Sequence, residues 1–228
     1  IVKRMKNWKL FVLLLLGSCG PDPIPDPEPV NLVAPQNLNS CTTASRINES
    51  LSQVNFQWTA ALHADNYELI VQNALTRERF DTSTSLQNAS LTLPSGAPYL
   101  WFVRSKSTLT PIETDSSTWQ FYLEGSTSAT HFPFPALLQS PEDESEIVLS
   151  AQGTFQFEWE GNDLDNDIVS YDLYLSTDPD ELALVKDGIT SSQTLLELNS
   201  NTLYYWQVAT RDENQNQSFS GVFSFQTE

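Results

Sequence analysis

Apolar and polar residues alternate along most of this chain. Val54-Asn55-Phe56-Gln57-Trp58 places an apolar side chain at every second position, the period of a half-buried strand. Tyr67-Glu68-Leu69-Ile70-Val71 reads as the next strand. Ser90-Leu91-Thr92-Leu93, Tyr99-Leu100-Trp101-Phe102-Val103 and Trp119-Gln120-Phe121-Tyr122 follow. The pattern then begins again. Phe155-Gln156-Phe157-Glu158-Trp159 matches the first segment, and Tyr171-Asp172-Leu173-Tyr174-Leu175 the second. Thr194-Leu195-Leu196-Glu197-Leu198 precedes Tyr204-Tyr205-Trp206-Gln207-Val208-Ala209, and Phe223-Ser224-Phe225 closes the chain.

The spacing repeats with the pattern. Leu93 precedes Tyr99 as Leu198 precedes Tyr204, and both copies continue Tyr-x-Trp-x-Val. Period 2 sends Tyr99, Trp101 and Val103 to one face of their strand, and Tyr204, Trp206 and Val208 likewise. Several short strands in about 95 residues, with turn residues between them, predict a β-sandwich. The expected fold is therefore all-β, with two tandem sandwiches at 32–124 and 134–228. Residues 125–133 join them, within the stretch Gly125 to Pro135 that carries Thr, Ser and two prolines.

These residues resemble the fibronectin type III superfamily. Trp58 and Trp159 stand where that family ends its second strand with Trp. Tyr99/Trp101/Val103 and Tyr204/Trp206/Val208 match its Tyr-x-aromatic-x-Val run. Ser116-Ser117-Thr118-Trp119 and Ser218-Phe219-Ser220-Gly221-Val222-Phe223 match its Ser-rich turn before the closing strand. The resemblance implies an immunoglobulin-like sandwich and names no function, because this fold hosts many unrelated roles. Neither copy carries an Arg-Gly-Asp tripeptide.

The N-terminus follows a different pattern. Lys3, Arg4, Lys6 and Lys9 precede the apolar run Leu10-Phe11-Val12-Leu13-Leu14-Leu15-Leu16, which is followed by Gly17, Ser18 and Cys19. A basic stretch, a short apolar run and small residues make a secretory signal, here 1–18, with Met5 as a plausible start. The run is too short to span a bilayer core of ~30 Å. Leu16-Gly17-Ser18-Cys19 resembles the bacterial lipobox, which implies a lipid-anchored Cys19 at the start of the mature chain. In residues 19–31 proline alternates with mostly acidic residues, which makes an extended, semi-rigid tether. Acidic residues behind the anchor resemble the tails of Bacteroidota surface lipoproteins. That resemblance places the protein at the outer membrane of the cell envelope, on the surface or the periplasmic side.

Charge narrows the partners. The formal net charge is −18, and loss of the signal leaves seven bases against 29 acids. Beyond Phe134 the only bases are Lys186 and Arg211. Such a surface repels phosphate backbones, so no nucleic-acid partner is expected. It favours a soluble, self-repelling monomer. Cys41 is left as a small apolar residue once Cys19 is lipidated.

Candidate chemistry is sparse. His63 lies in a turn between strands and His131 in the linker, and no hydrolase, metalloprotease or phosphate-loop motif accompanies them. The chain reads as non-catalytic, with no cofactor required. Trp58, Trp101, Trp159 and Trp206 hold core-pattern positions and Trp119 aligns with Phe223, so stacking of sugars on tryptophan finds little support. One loop stands out. Between its Trp and the following Tyr the second copy has three residues more than the first, within Glu160-Gly161-Asn162-Asp163-Leu164-Asp165-Asn166-Asp167. Asp163, Asp165 and Asp167 are the candidate calcium ligands. The EF-hand pattern fails, since Ile168 stands where Gly is required and Tyr174 where the bidentate Glu belongs. A solvated acidic turn is the competing expectation. The function expected is a binding or spacer module on a lipid anchor. The alternatives are a glycan-binding accessory lipoprotein of an outer-membrane polysaccharide-uptake system and an adhesin-like stalk.

Overall fold

The computed structural model describes residues 24–41, 44–125 and 130–228. The signal segment, Cys19 and the first part of the tether lie outside these residues, as do 126–129 of the linker.

In the first sandwich, β1 (Leu32–Ala34), β3 (Ala44–Arg46) and β7 (Asn88–Pro94) all pair with β4 (Leu51–Trp58). The facing sheet runs in the order β2 (Asn39–Ser40), β10 (Trp119–Leu123), β8 (Ala97–Ser107), β5 (Asn66–Asn73), β6 (Arg79–Thr84), with β9 (Thr110–Asp115) also on β8. The second sandwich repeats this, without a counterpart of β3 among the described residues. One sheet is β11 (Leu137–Ser140), β13 (Thr154–Glu160), β16 (Gln193–Glu197). The other is β12 (Ser145–Ile147), β19 (Phe223–Thr227), β17 (Leu203–Asp212), β14 (Ile168–Ser176), β15 (Ala183–Ile189), with β18 (Gln217–Phe219) on β17. Each half is a fibronectin type III-like sandwich.

The two cores repeat ring by ring. Phe56 meets Trp101 edge-on at 5.1 Å, and Phe157 meets Trp206 at 5.1 Å. Trp58 packs on Tyr67, as Trp159 does on Tyr171. Tyr99 stacks on Phe121 and Tyr204 on Phe225. Trp119 stands opposite Trp101 and Phe223 opposite Trp206, as their alignment in the sequence requires. The four tryptophans at 58, 101, 159 and 206 are buried, and their indole N–H groups have no hydrogen-bond partner. They contribute volume to the core and present no face to a ligand. Cys41 is buried in the first core.

Two sequence signatures acquire a reason. The Leu-(x5)-Tyr spacing lets each tyrosine hydroxyl reach backbone five residues upstream. Tyr99 Oη donates to the Pro94 carbonyl at 2.6 Å, and Tyr204 Oη accepts from the Asn199 N–H at 3.1 Å. Tyr99 Oη also accepts from Asn73 Nδ2. Burial, only partly offset by that bond, pushes the Tyr99 pKa up to about 12. In the Ser-rich turns, Ser116 Oγ accepts from the Val103 N–H at 3.1 Å and Ser220 Oγ from the Val208 N–H at 3.0 Å. Each serine thereby satisfies a strand amide where the closing strand breaks its ladder.

The first sandwich begins earlier than the boundary at residue 32. Val30 is buried in its core, the Glu28 N–H bonds to the Leu62 carbonyl, and the Asn31 N–H bonds to Thr59 Oγ1. A valine after the last proline has apolar area to bury and no proline ring to hold it off. The chain thus enters at the end of the sandwich that holds Leu62 and leaves past Leu123 at the opposite end, where β10 pairs with Ala97.

Candidate metal centre and interdomain junction

The acidic loop joins β13 to β14 and lies at the end of the second sandwich that faces the first. Gly161 is required there, because a Cβ on it would lie 2.1 Å from the Tyr171 hydroxyl. Asp163 Oδ1 then accepts from the Asp165 N–H, which closes a tight side-chain turn. Asn166 takes a positive φ of 58°.

This folding separates the three candidate ligands. Asp163 and Asp167 converge, and the third carboxylate beside them is Asp212, at the end of β17. One oxygen from each lies within 4.8 Å of the others. Asp165 turns away to the linker, where its carboxylate accepts the His131 N–H at 2.7 Å and meets His131 Nδ1 at 2.8 Å. The set Asp163/Asp165/Asp167 read from the sequence therefore becomes Asp163/Asp167/Asp212. The physical reason is that the turn closed by Asp163 points residue 165 outward, while the end of β17 supplies a carboxylate from 45 residues further on. Sequence proximity does not reveal Asp212. The sandwich topology does hold the signal, because the loops following β13 and β17 gather at one end.

The cluster is unevenly satisfied. Asp212 is buried, and both its oxygens accept from Asn216, at 2.7 Å each. Asp167 Oδ2 accepts from Asn214 Nδ2 at 3.1 Å. Asp163 Oδ2 and Asp167 Oδ1 are shielded from solvent and have no hydrogen-bond partner. Burial raises the Asp163 pKa above its ordinary value. The N–H of Asp165 opposes this, while the charges of Asp167, Asp165 and Asp212 add to it. The arrangement disfavours a third negative charge more than it builds a cage. Calcium takes six to eight oxygens, and here Asn216 already holds both oxygens of one contributor.

The junction beside this loop is packed. Phe134 is 1% exposed, and its N–H bonds to the Asn162 carbonyl at 2.9 Å. Gln120 is also buried and donates from Nε2 to the Pro135 carbonyl at 3.1 Å. The His131 ring sits edge-on against Tyr122, with centroids 4.8 Å apart, and its Nε2 lies 3.3 Å from both oxygens of Glu124. His131 thus has a specific environment that its lack of any motif did not suggest. His63 stays in the turn before β5, with a positive φ of 61°. An apolar cleft lined by Leu100, Pro135, Ala136, Leu138 and Phe223 opens between the two halves.

No family model matches this sequence, and no match was found among curated proteins. Among solved structures, the chain is similar to the fibronectin(III)-like modules of CbhA from Clostridium thermocellum. The identity is 11% over 87% of this chain and 92% of that one, with a TM-score of 0.33. A two-domain fibronectin type III segment of chicken tenascin aligns at 14% identity over 88% of this chain and 97% of that one, with a TM-score of 0.28. A beta-1,2-glucanase from Parabacteroides distasonis aligns at 12% identity over 78% of this chain and 30% of that one, with a TM-score of 0.34. The fold stands on the strand order and register described above.

The electrostatics give a signed prediction. A carboxyl whose folded pKa is raised weakens the fold as pH rises through its unfolded value, near 3.8. Asp163→Asn keeps the oxygen that caps Asp165 and removes the repelling charge. At pH 7 it is expected to stabilise the second sandwich, by less than about 1 kcal/mol because Asp163 as a whole is only partly buried and its charge is partly screened. Millimolar calcium is expected to shift the melting of both sandwiches of the wild type equally. A calcium-dependent rise confined to the second sandwich, lost in Asp163→Asn, would instead assign the cluster to the ion.

Proposed function

We propose that this protein is a non-catalytic module of a bacterial cell envelope, lipid-anchored at Cys19, whose two sandwiches hold a binding surface away from the membrane. The observation that supports this reading most is the path of the chain. It enters one end of the first sandwich, exits at the other, and passes into the second through a packed junction. The first sandwich therefore stands between the tether and the second. The Pro- and acid-rich composition of residues 20–29 is that of a semi-rigid spacer between such an anchor and the sandwich.

The anchor has a direct test. In a bacterial host, the wild-type chain is expected to incorporate labelled fatty acid and to sediment with membranes, and Cys19→Ala to do neither. Equal labelling of the variant would overturn the lipoprotein reading.

A glycan-binding role is the second reading, and one feature favours it. The outer face of the first sandwich carries a groove formed by Ile70, Gln72, Arg79, Leu100, Phe102 and Thr118. An aromatic ring beside hydrogen-bonding groups suits a sugar. A glycan array probed with a soluble fragment beginning at Ile24, which keeps Val30 in its core, separates this reading from a plain spacer. Binding that Phe102→Ala abolishes would establish it.

A further inference from the structure

Both ring nitrogens of His131 face carboxylates from different halves of the molecule. Nδ1 lies 2.8 Å from Asp165 Oδ1, in the acidic loop of the second sandwich. Nε2 lies 3.3 Å from each oxygen of Glu124, just beyond β10 of the first. An ionised carboxylate only accepts hydrogen bonds, and a neutral imidazole carries one N–H. Satisfying both sides requires the doubly protonated ring. With one proton gone, one contact loses its donor. Glu124 and Asp165 then face each other across an uncharged ring.

We propose that His131 is a proton-operated clamp between the two sandwiches, which fixes their relative orientation when protonated and releases it when neutral. The surroundings are suited to this. Asp165 is anchored independently of the ring, since its other oxygen accepts the His131 N–H. Glu124 is steadied by Ser40 Oγ on β2, which donates to its Oε1 at 2.7 Å. Tyr122 on β10 covers the ring edge-on. The other charged groups nearby are Asp163, on the same loop as Asp165, and Arg46 on β3, whose guanidinium is engaged by the Gly125 carbonyl. No base near the ring competes for the two carboxylates among the described residues.

The direction of titration follows. Burial works against charge on His131. The hydrogen bond and charge of Asp165, with those of Glu124, outweigh it, so the pKa stands above the ordinary 6.5. A group whose folded pKa is raised contributes its full stabilisation below the unfolded value. That contribution is lost as pH rises through the folded one. The clamp is therefore closed well below pH 6.5 and opens as the pH rises through the raised His131 pKa.

The test follows the full chain from pH 5 to pH 9. Histidine NMR signals give the titration midpoint of His131, with His63 supplying a second signal at the far end of the first sandwich. Hydrogen exchange gives the protection of the His131 and Phe134 amides, corrected for the intrinsic effect of pH. Small-angle scattering gives the spread of domain orientations. Protection is expected to fall at least tenfold across the His131 midpoint, with a parallel broadening of orientations. Glu124→Gln is expected to lower that midpoint, and His131→Gln to make protection and orientation independent of pH. Constant protection through the wild-type midpoint would overturn the proposal. So would a pH dependence that survives in His131→Gln. If His131→Gln fails to fold, an unmoved midpoint in Glu124→Gln overturns it.

Discussion

Trp206→Ala is expected to destabilise the second sandwich by about 3–5 kcal/mol, the range for removing a large aromatic from a core that cannot collapse onto the void. Trp206 is fully buried, meets Phe157 at 5.1 Å and Phe223 at 6.4 Å, and sits in the central strand β17. In a domain of about 95 residues this corresponds to a fall in Tm of more than about 12 °C. Each half has its own complete core, so calorimetry is expected to resolve two transitions and to find only one of them moved. Equal displacement of both transitions would mean that the sandwiches unfold as one unit.

Arg211→Ala carries the second large effect. Asp172 is only 3% exposed, on the outer side of β14. Its carboxylate accepts from Arg211 Nε at 2.7 Å and from the Gly188 N–H at 3.0 Å, which ties three neighbouring strands together. Removing the guanidinium leaves a shielded carboxylate with a single donor. Breaking a fully buried pair costs roughly 3–5 kcal/mol, and a cost of about 2–3 kcal/mol is expected here, because Arg211 is partly exposed and water reaches its place. Arg211→Ala combined with Asp172→Asn is expected to recover part of the loss. A double variant no more stable than Arg211→Ala would show that the charge left behind is not the source of the cost.

The sandwiches were legible in the sequence because one face of each strand is buried and period 2 records which face. Trp101 and Trp206, Tyr99 and Tyr204, and Phe56 and Phe157 could be paired by spacing alone, and their rings meet in matching ways. The acidic loop was legible as an insertion. Its organisation was not, since that depends on contacts between residues far apart in the chain. Asp165 reaches back 34 residues to His131, and Asp212 joins Asp163 from across the sandwich. The junction was hidden for a further reason. Gln120 bonds to the Pro135 carbonyl, Tyr122 packs against His131 and the Phe134 N–H bonds to Asn162, and no periodicity within one strand records such contacts. Val30 was concealed by the prolines before it, which mark an extended spacer up to the point where the core begins.

The parallel pairing of β2 with β10, and of β12 with β19, has a mechanical consequence. In each sandwich a strand near the entry of the chain lies alongside a strand near its exit, and both run the same way. A pull between the two ends of a sandwich drags such partners in opposite directions along their length. Their backbone bonds are then loaded together in shear and do not open one after another like a zipper. Among the described residues the first sandwich pairs Phe121 with Asn39 and Tyr122 with Ser40 in this way, and the second pairs Ser145 with Phe225, Glu146 with Gln226 and Ile147 with Thr227. Tension applied along the chain through either sandwich therefore meets a set of backbone bonds that must give together.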